Sequence, residues 1–108
     1  MVGKLRLCPV AEVTEGEPVS VFLENMSPLA VYNVGGAVFV TDNHCTHGHA
    51  MLTDGYQDGG IIECPLHGGS FDIATGAVNT FPCQVPIKIY TVTIEDGWVV
   101  IDQPEGSA

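Results

Sequence analysis

Apolar and polar positions alternate over short runs along most of the chain, the period of a strand with one face buried. The runs Lys4–Leu7, Val19–Glu24, Leu29–Val34 and Val38–Thr41 form a first set of predicted strands. A second set comprises Ile61–Cys64, Ser70–Ile73, Ile87–Ile94 and Trp98–Asp102. Turn signals separate them. Val34-Gly35-Gly36-Ala37 predicts a hairpin turn, because paired glycines take the positive φ that primed turns require. Glu95-Asp96-Gly97 predicts a second tight turn. The one helical signal, Pro9–Val13, covers about a turn, and residues 103–108 read as a frayed tail.

Short strands that recur with turn signals and without a long helix predict an all-β fold, an antiparallel sandwich or barrel. At 108 residues, with no internal repeat or linker, the chain predicts one domain spanning 1–108. Trp98 and the Val and Ile positions beside it belong to its core. Hydrophobic residues make up 45% of the chain, which excludes an intrinsically disordered protein.

Charge changes the picture of what the surface can meet. Thirteen acidic side chains against three basic ones (Lys4, Arg6 and Lys88) give a formal net charge of -10. Such a surface repels nucleic acid and anionic lipid, so neither is an expected partner. It attracts a protein with a basic patch and raises the rate of encounter. The blander role of the same charge is solubility. The opening segment, MVGKLRLCPV, lacks an apolar signal region, and no run has the length of a membrane span. The expectation is a cytoplasmic, monomeric protein whose four cysteines are metal-binding, catalytic or free, not disulfide-bonded.

The chemistry is concentrated in one stretch, CTHGHAMLTDGYQDGGIIECPLHGGSFD, from Cys45 to Asp72. It contains Cys45-x-His47 and, further on, Cys64-x-x-His67. A typical zinc finger pairs cysteine with cysteine and histidine with histidine, whereas here each half mixes a thiolate with an imidazole. A structural zinc module remains compatible with two thiolates and two imidazoles, and it would be colourless. A Cys–His nucleophile would leave the second pair without a role. The mixed halves suit a two-iron cluster held by two thiolates on one iron and two imidazoles on the other. Two ferric ions, two sulfides and two thiolates sum to zero charge, so such a centre accepts an electron more readily than one with four thiolates.

Cys45-Thr-His47-Gly and Cys64-Pro-Leu-His67-Gly resemble the two cluster-binding loops of Rieske proteins. The flanking Val38-Phe-Val-Thr-Asp-Asn, Gly69-Ser-Phe-Asp72, Thr75-Gly76, Phe81-Pro82 and Ile87-Lys-Ile-Tyr-Thr-Val resemble soluble Rieske ferredoxins of bacterial aromatic-ring dioxygenase systems. The resemblance implies the Rieske fold, with cluster-binding loops at about residues 43–72 forming a small subdomain. It implies one Rieske-type 2Fe–2S cluster, with Cys45 and Cys64 on the inner iron and His47 and His67 on the outer one. The implied function is a soluble one-electron carrier and not an enzyme. It would pass electrons from a flavin-dependent NAD(P)H reductase to a terminal oxygenase, docking transiently near His47 and His67. The competing implication is a small Rieske subunit bound tightly within a reductase or oxidase complex.

Two departures from the respiratory and photosynthetic Rieske branch bear on the centre. Where that branch carries a loop disulfide, this chain has Ala50 and Leu66, and where it places hydroxyl donors, this chain has Gly69 and Phe71. Fewer hydrogen bonds to sulfur predict a potential toward the low end of the Rieske range, roughly -150 mV. Of the remaining residues, Cys8 and Cys83 read as free thiols, and His44 and His49 as exposed polar groups beside the ligands. Pro82 would by resemblance lie on a third loop covering the cluster; an ordinary turn proline is the other reading.

Overall fold

The computed structural model describes residues 3–24, 26–46, 48–66 and 68–102. Eleven strands, β1 (Lys4–Pro9), β2 (Val19–Val21), β3 (Leu29–Val34), β4 (Ala37–Asp42), β5 (Tyr56–Asp58), β6 (Ile61–Glu63), β7 (Ser70–Asp72), β8 (Val78–Thr80), β9 (Ile89–Tyr90), β10 (Val92–Glu95) and β11 (Trp98–Asp102), are all that the described residues contain besides two short 3-10 turns. Every pairing is antiparallel. Three sheets result, with strand orders β1-β11-β10, β2-β3-β4-β9 and β5-β6-β7-β8. The all-β antiparallel expectation holds. The frayed-tail expectation for 103–108 lies outside the described residues.

The middle sheet owes its position to β3. Successive side chains of a strand point to opposite faces, and Leu29, Ala30, Val31 and Tyr32 are all fully buried. Leu29 and Val31 pack with Leu7, Cys8, Val21, Val40, Val99 and Ile101 in a base core between the first two sheets. Ala30 and Tyr32 point the other way, into a second core with Leu52, Ile62, Phe71, Ile73, Ile87 and three cysteines. A continuous apolar run of this kind marks a strand covered on both faces. The arrangement is therefore three layers and two cores, not the two layers of a simple sandwich.

Both predicted turns form as expected. Gly35 and Gly36 have φ of 59° and 94°, and Asp96 and Gly97 have φ of 53° and 78°. The predicted strand Ile87–Ile94 divides instead. Ile89–Tyr90 pairs with β4 in the middle sheet, whereas Val92–Glu95 pairs with β11 in the first. The chain crosses between sheets at Thr91, and alternation continues through the corner, which is why the pattern reads as one strand. The turn predicted at Pro9–Val13 appears as Val10–Glu12.

The third sheet is attached through side-chain polar groups as well as its apolar face. Gln57 on β5 donates its Nε2 amide to the Asn33 carbonyl on β3 at 2.8 Å and to the Gly59 carbonyl at 3.0 Å. Its two connections that matter most are the loop from β4 to β5 and the loop from β6 to β7. Both leave the sheet at the same end of the second core, and each carries one half of the Cys/His pattern.

Candidate metal centre

The first loop is drawn closed at its base by Asn43, which is fully buried. The Asn43 Nδ2 amide donates to Ser20 Oγ and to Thr53 Oγ1, each at 3.0 Å, and its Oδ1 accepts from the Thr53 backbone at 2.9 Å. Its carbonyl accepts from the Leu52 backbone at 2.7 Å. One side chain thus joins the two ends of the loop and fastens both to β2. Within the loop, the Cys45 N–H donates to the Ala50 carbonyl at 2.9 Å. In the second loop, the Cys64 N–H donates to the Gly69 carbonyl at 2.7 Å, and Gly68 has φ of 75°. That left-handed turn is open to glycine at no steric cost and returns the chain toward β7.

These closures bring Cys45 and Cys64 together, each about 1% exposed, in the second core. The thiol of Cys64 is pushed up to about 11 by burial first, then by hydrogen bonding and charge from Cys45, against a backbone hydrogen bond from Leu66 that pulls it down. Metal binding removes that proton, since the thiolate is the ligand. His47 and His67, the other two predicted ligands, lie outside the described residues. Two buried thiols on separate glycine-containing loops, screened from water by Leu52, Ile62 and Phe71, fit the thiolate half of a two-iron cluster. The positions of the loop disulfide found elsewhere are filled by packing. Ala50 and Leu66 lie against the second core, and a Cβ at Gly48 would come within 3.3 Å of Leu66 Cδ1.

A family description of the Rieske [2Fe-2S] domain matches residues 3–91. The chain belongs to the Rieske [2Fe-2S] family. As a Rieske protein it takes a 2Fe–2S cluster. Ferredoxin CarAc of Metapseudomonas resinovorans is 39% identical over 97 residues, which are 90% of this chain and 91% of that protein. The 3-phenylpropionate/cinnamic acid dioxygenase ferredoxin subunit of Escherichia coli (strain K12) is 39% identical over 106 residues, 96% of this chain and 97% of that subunit. Among solved structures, the Sphingomonas yanoikuyae B1 ferredoxin superposes with a TM-score of 0.93 at 76% identity, covering 94% of this chain and 100% of that one. A ferredoxin in the complex of reduced oxygenase and oxidised ferredoxin of carbazole 1,9a-dioxygenase superposes with a TM-score of 0.86 at 39% identity, covering 91% of each chain.

Two features of this Rieske site are not visible in its ligand motif. One is Asn43. The other is the loop between β8 and β9, which comes to rest against both ligand loops. Thr46 Oγ1 donates to the Val85 carbonyl at 2.7 Å, tying this third loop to the first. A Cβ placed at Gly69 would lie 2.5 Å from Cys83 Sγ and 3.1 Å from Pro82 Cδ, so only glycine lets the third loop approach the second. Pro82, which follows a cis peptide bond, is accordingly part of the wall of the site. Cys83 is buried among Cys45, Cys64 and their apolar neighbours. Its thiol is pushed up to about 12 by burial first, then by Cys45 and Cys64.

The rim is mixed in character. Phe81 and Val85 are 76% and 59% exposed and border a depression of about 310 Å³ together with Thr46, Pro82 and Gln84. On the other side of the first loop, His44 and His49 are exposed, with ring centroids 5.8 Å apart, which agrees with their reading as surface groups. Two of the three bases lie on β1: Lys4 approaches Asp102 at 3.4 Å, and Arg6 stacks 5.6 Å over the ring of Trp98. That strand belongs to the sheet on the opposite side of the middle layer from the ligand loops.

Proposed function

We propose that this protein is the ferredoxin of an aromatic-ring-hydroxylating dioxygenase system, a one-electron carrier and not itself a catalyst. The observation that carries the proposal is the extent of the similarity. It runs along 96% of this chain with a protein named as a ferredoxin subunit, and covers 97% of that Escherichia coli subunit. The cluster supplies one-electron chemistry when bound, with Cys45, His47, Cys64 and His67 as its four ligands. In this reading Cys45 and Cys64 provide the buried, desolvated half of the site. His47 and His67 provide the half through which electrons enter and leave.

The whole chain, residues 1–108, works as a single domain, with the loops at about residues 43–72 as its redox end. The partners are a flavoprotein reductase and a terminal Rieske oxygenase, each met transiently by a cytoplasmic monomer. In support, a relative has been seen in complex with the oxygenase of carbazole 1,9a-dioxygenase. No helix among the described residues is long and apolar enough to cross a membrane. Phe81 and Val85 give the redox end a small apolar contact, and the net charge of -10 steers the approach of a basic surface. A small contact with charge steering suits a carrier that must leave each partner quickly.

The test is reconstitution with a reductase and an oxygenase of this type. Reduced protein should pass one electron per cluster to the oxygenase in stopped-flow mixing. Its bimolecular rate constant should fall roughly tenfold or more between low and high salt. A rate that does not respond to salt removes the steering, and failure to reduce any such oxygenase removes the assignment.

A further inference from the structure

Cys83 is placed by several independent contacts. Thr46 holds the third loop to the first ligand loop through the Val85 carbonyl. Gly69, which accepts the hydrogen bond that closes the Cys64 loop, leaves room for the Cys83 sulfur and backbone nitrogen where any Cβ would press on both. The result is a third sulfur buried at 2% exposure in the same core cluster as the two ligand cysteines. It does not complete a three-thiol site. Among the described residues no three Cys, His, Asp or Glu side chains are grouped so that they could hold one metal ion. A thiol is a weak donor, and an isolated one in an apolar pocket finds few acceptors besides neighbouring sulfur. Hydrogen bonds to ligand sulfur are among the factors that set the potential of an iron–sulfur centre.

We propose that Cys83 is a non-ligating thiol that donates its S–H to the sulfur of Cys45 and thereby raises the reduction potential of the bound cluster. The position where a side-chain hydroxyl could have acted is Gly69, and its missing side chain is what admits the thiol. Cys83 is a positioning and tuning residue, since the redox change itself takes place on the group held by the ligands. The proposal rests on the reading that Cys45 and Cys64 are those ligands.

The experiment is spectroelectrochemistry of iron-replete wild type, C83A, C83V and C83S, each checked for iron content and visible absorption. At a fixed applied potential, the ratio of reduced to oxidised protein should fall about tenfold in C83A and C83V, equivalent to about 59 mV for a one-electron couple. C83S keeps a donor and should recover more than half of that shift on a logarithmic scale. A reduced-minus-oxidised infrared spectrum of the wild type tests the same bond without any substitution. A thiol stretching band should move on reduction, while the band of Cys8, in the other core, stays fixed. Reduced-to-oxidised ratios within threefold of wild type in all three variants would overturn the proposal. So would a wild-type difference spectrum without a thiol band, and this second result decides the matter if the variants lose the cluster. C45S and C64S proteins that keep a normal cluster would show instead that the ligand assignment had failed.

Discussion

The base core and the site core share one strand and are lined by much the same side chains, yet a buried cysteine means something different in each. Cys8, in the base core, packs among Val21, Val99 and Ile101, and its thiol is raised by burial and then by the charge of Glu12. Cys83, in the site core, is raised by burial and then by two other cysteines. Exposure does not tell them apart, at 6% and 2%. The neighbours do. In the base core polar chemistry has been excluded. In the site core, apolar residues surround groups whose chemistry is kept, and the apolar wall strengthens every interaction between them.

The sharpest way to break this contrast is to change one cysteine at a time. Cys45→Ser or Cys64→Ser should abolish nearly all cluster incorporation, read as iron content and visible absorption, while Cys8→Ser should retain it. Equal losses in all three would mean that the cysteines serve only to fold the chain. Next in size is Asn43→Ala. It leaves the Thr53 N–H and two hydroxyls without their buried partner, which should cost about 2–3 kcal/mol in thermal unfolding. Val99→Ala in the base core should cost about 2 kcal/mol by loss of packing. The two should separate in cluster release to a chelator, with Asn43→Ala faster by several-fold at matched stability, since it opens the ligand loop itself.

The smallest effect is one of pH. A thiol whose folded value is raised contributes stability that is complete below its ordinary value and is lost as pH rises through the folded one. For Cys64 that window runs from about pH 9 to about pH 11 in protein stripped of its cluster. As the ligand proposed above, Cys64 would already be a thiolate in the loaded protein, so its contribution should disappear there, whereas that of Cys8 persists in both forms. Melting temperatures followed across this range should therefore fall more steeply for the stripped protein. Parallel curves would place Cys64 away from the metal.

Sequence patterning located the strands whose alternation is long enough to count. β3 and β11 match their predicted bounds, and the predicted primed turn at Gly35-Gly36 and the predicted tight turn at Asp96-Gly97 both occur. It missed β5 and β8, Tyr56–Asp58 and Val78–Thr80. Each is three residues with at least two polar side chains, and each is a strand because a neighbour pairs with it, not by its own propensity. The ligand motif was legible because short spacing on a loop constrains geometry directly. Cys83 was not, because its place beside Cys45 depends on a glycine in another loop and a threonine tie to a third. Asn43 lies in a segment that flanks the ligand motif, but its role depends on Ser20 and Thr53, partners that only the fold brings near.

The double burial of β3 has a consequence for how such a protein can diversify. Leu29 and Val31 serve one core while Ala30 and Tyr32 serve the other, so a substitution anywhere in this segment disturbs the base or the redox pocket directly, and the other through the shared backbone. The rim residues Phe81, Gln84 and Val85 carry no such double obligation. Adaptation to a new redox partner is therefore channelled into the rim. The strand at the centre is constrained by packing on both of its faces, and the redox pocket can keep its internal chemistry while the surface around it changes.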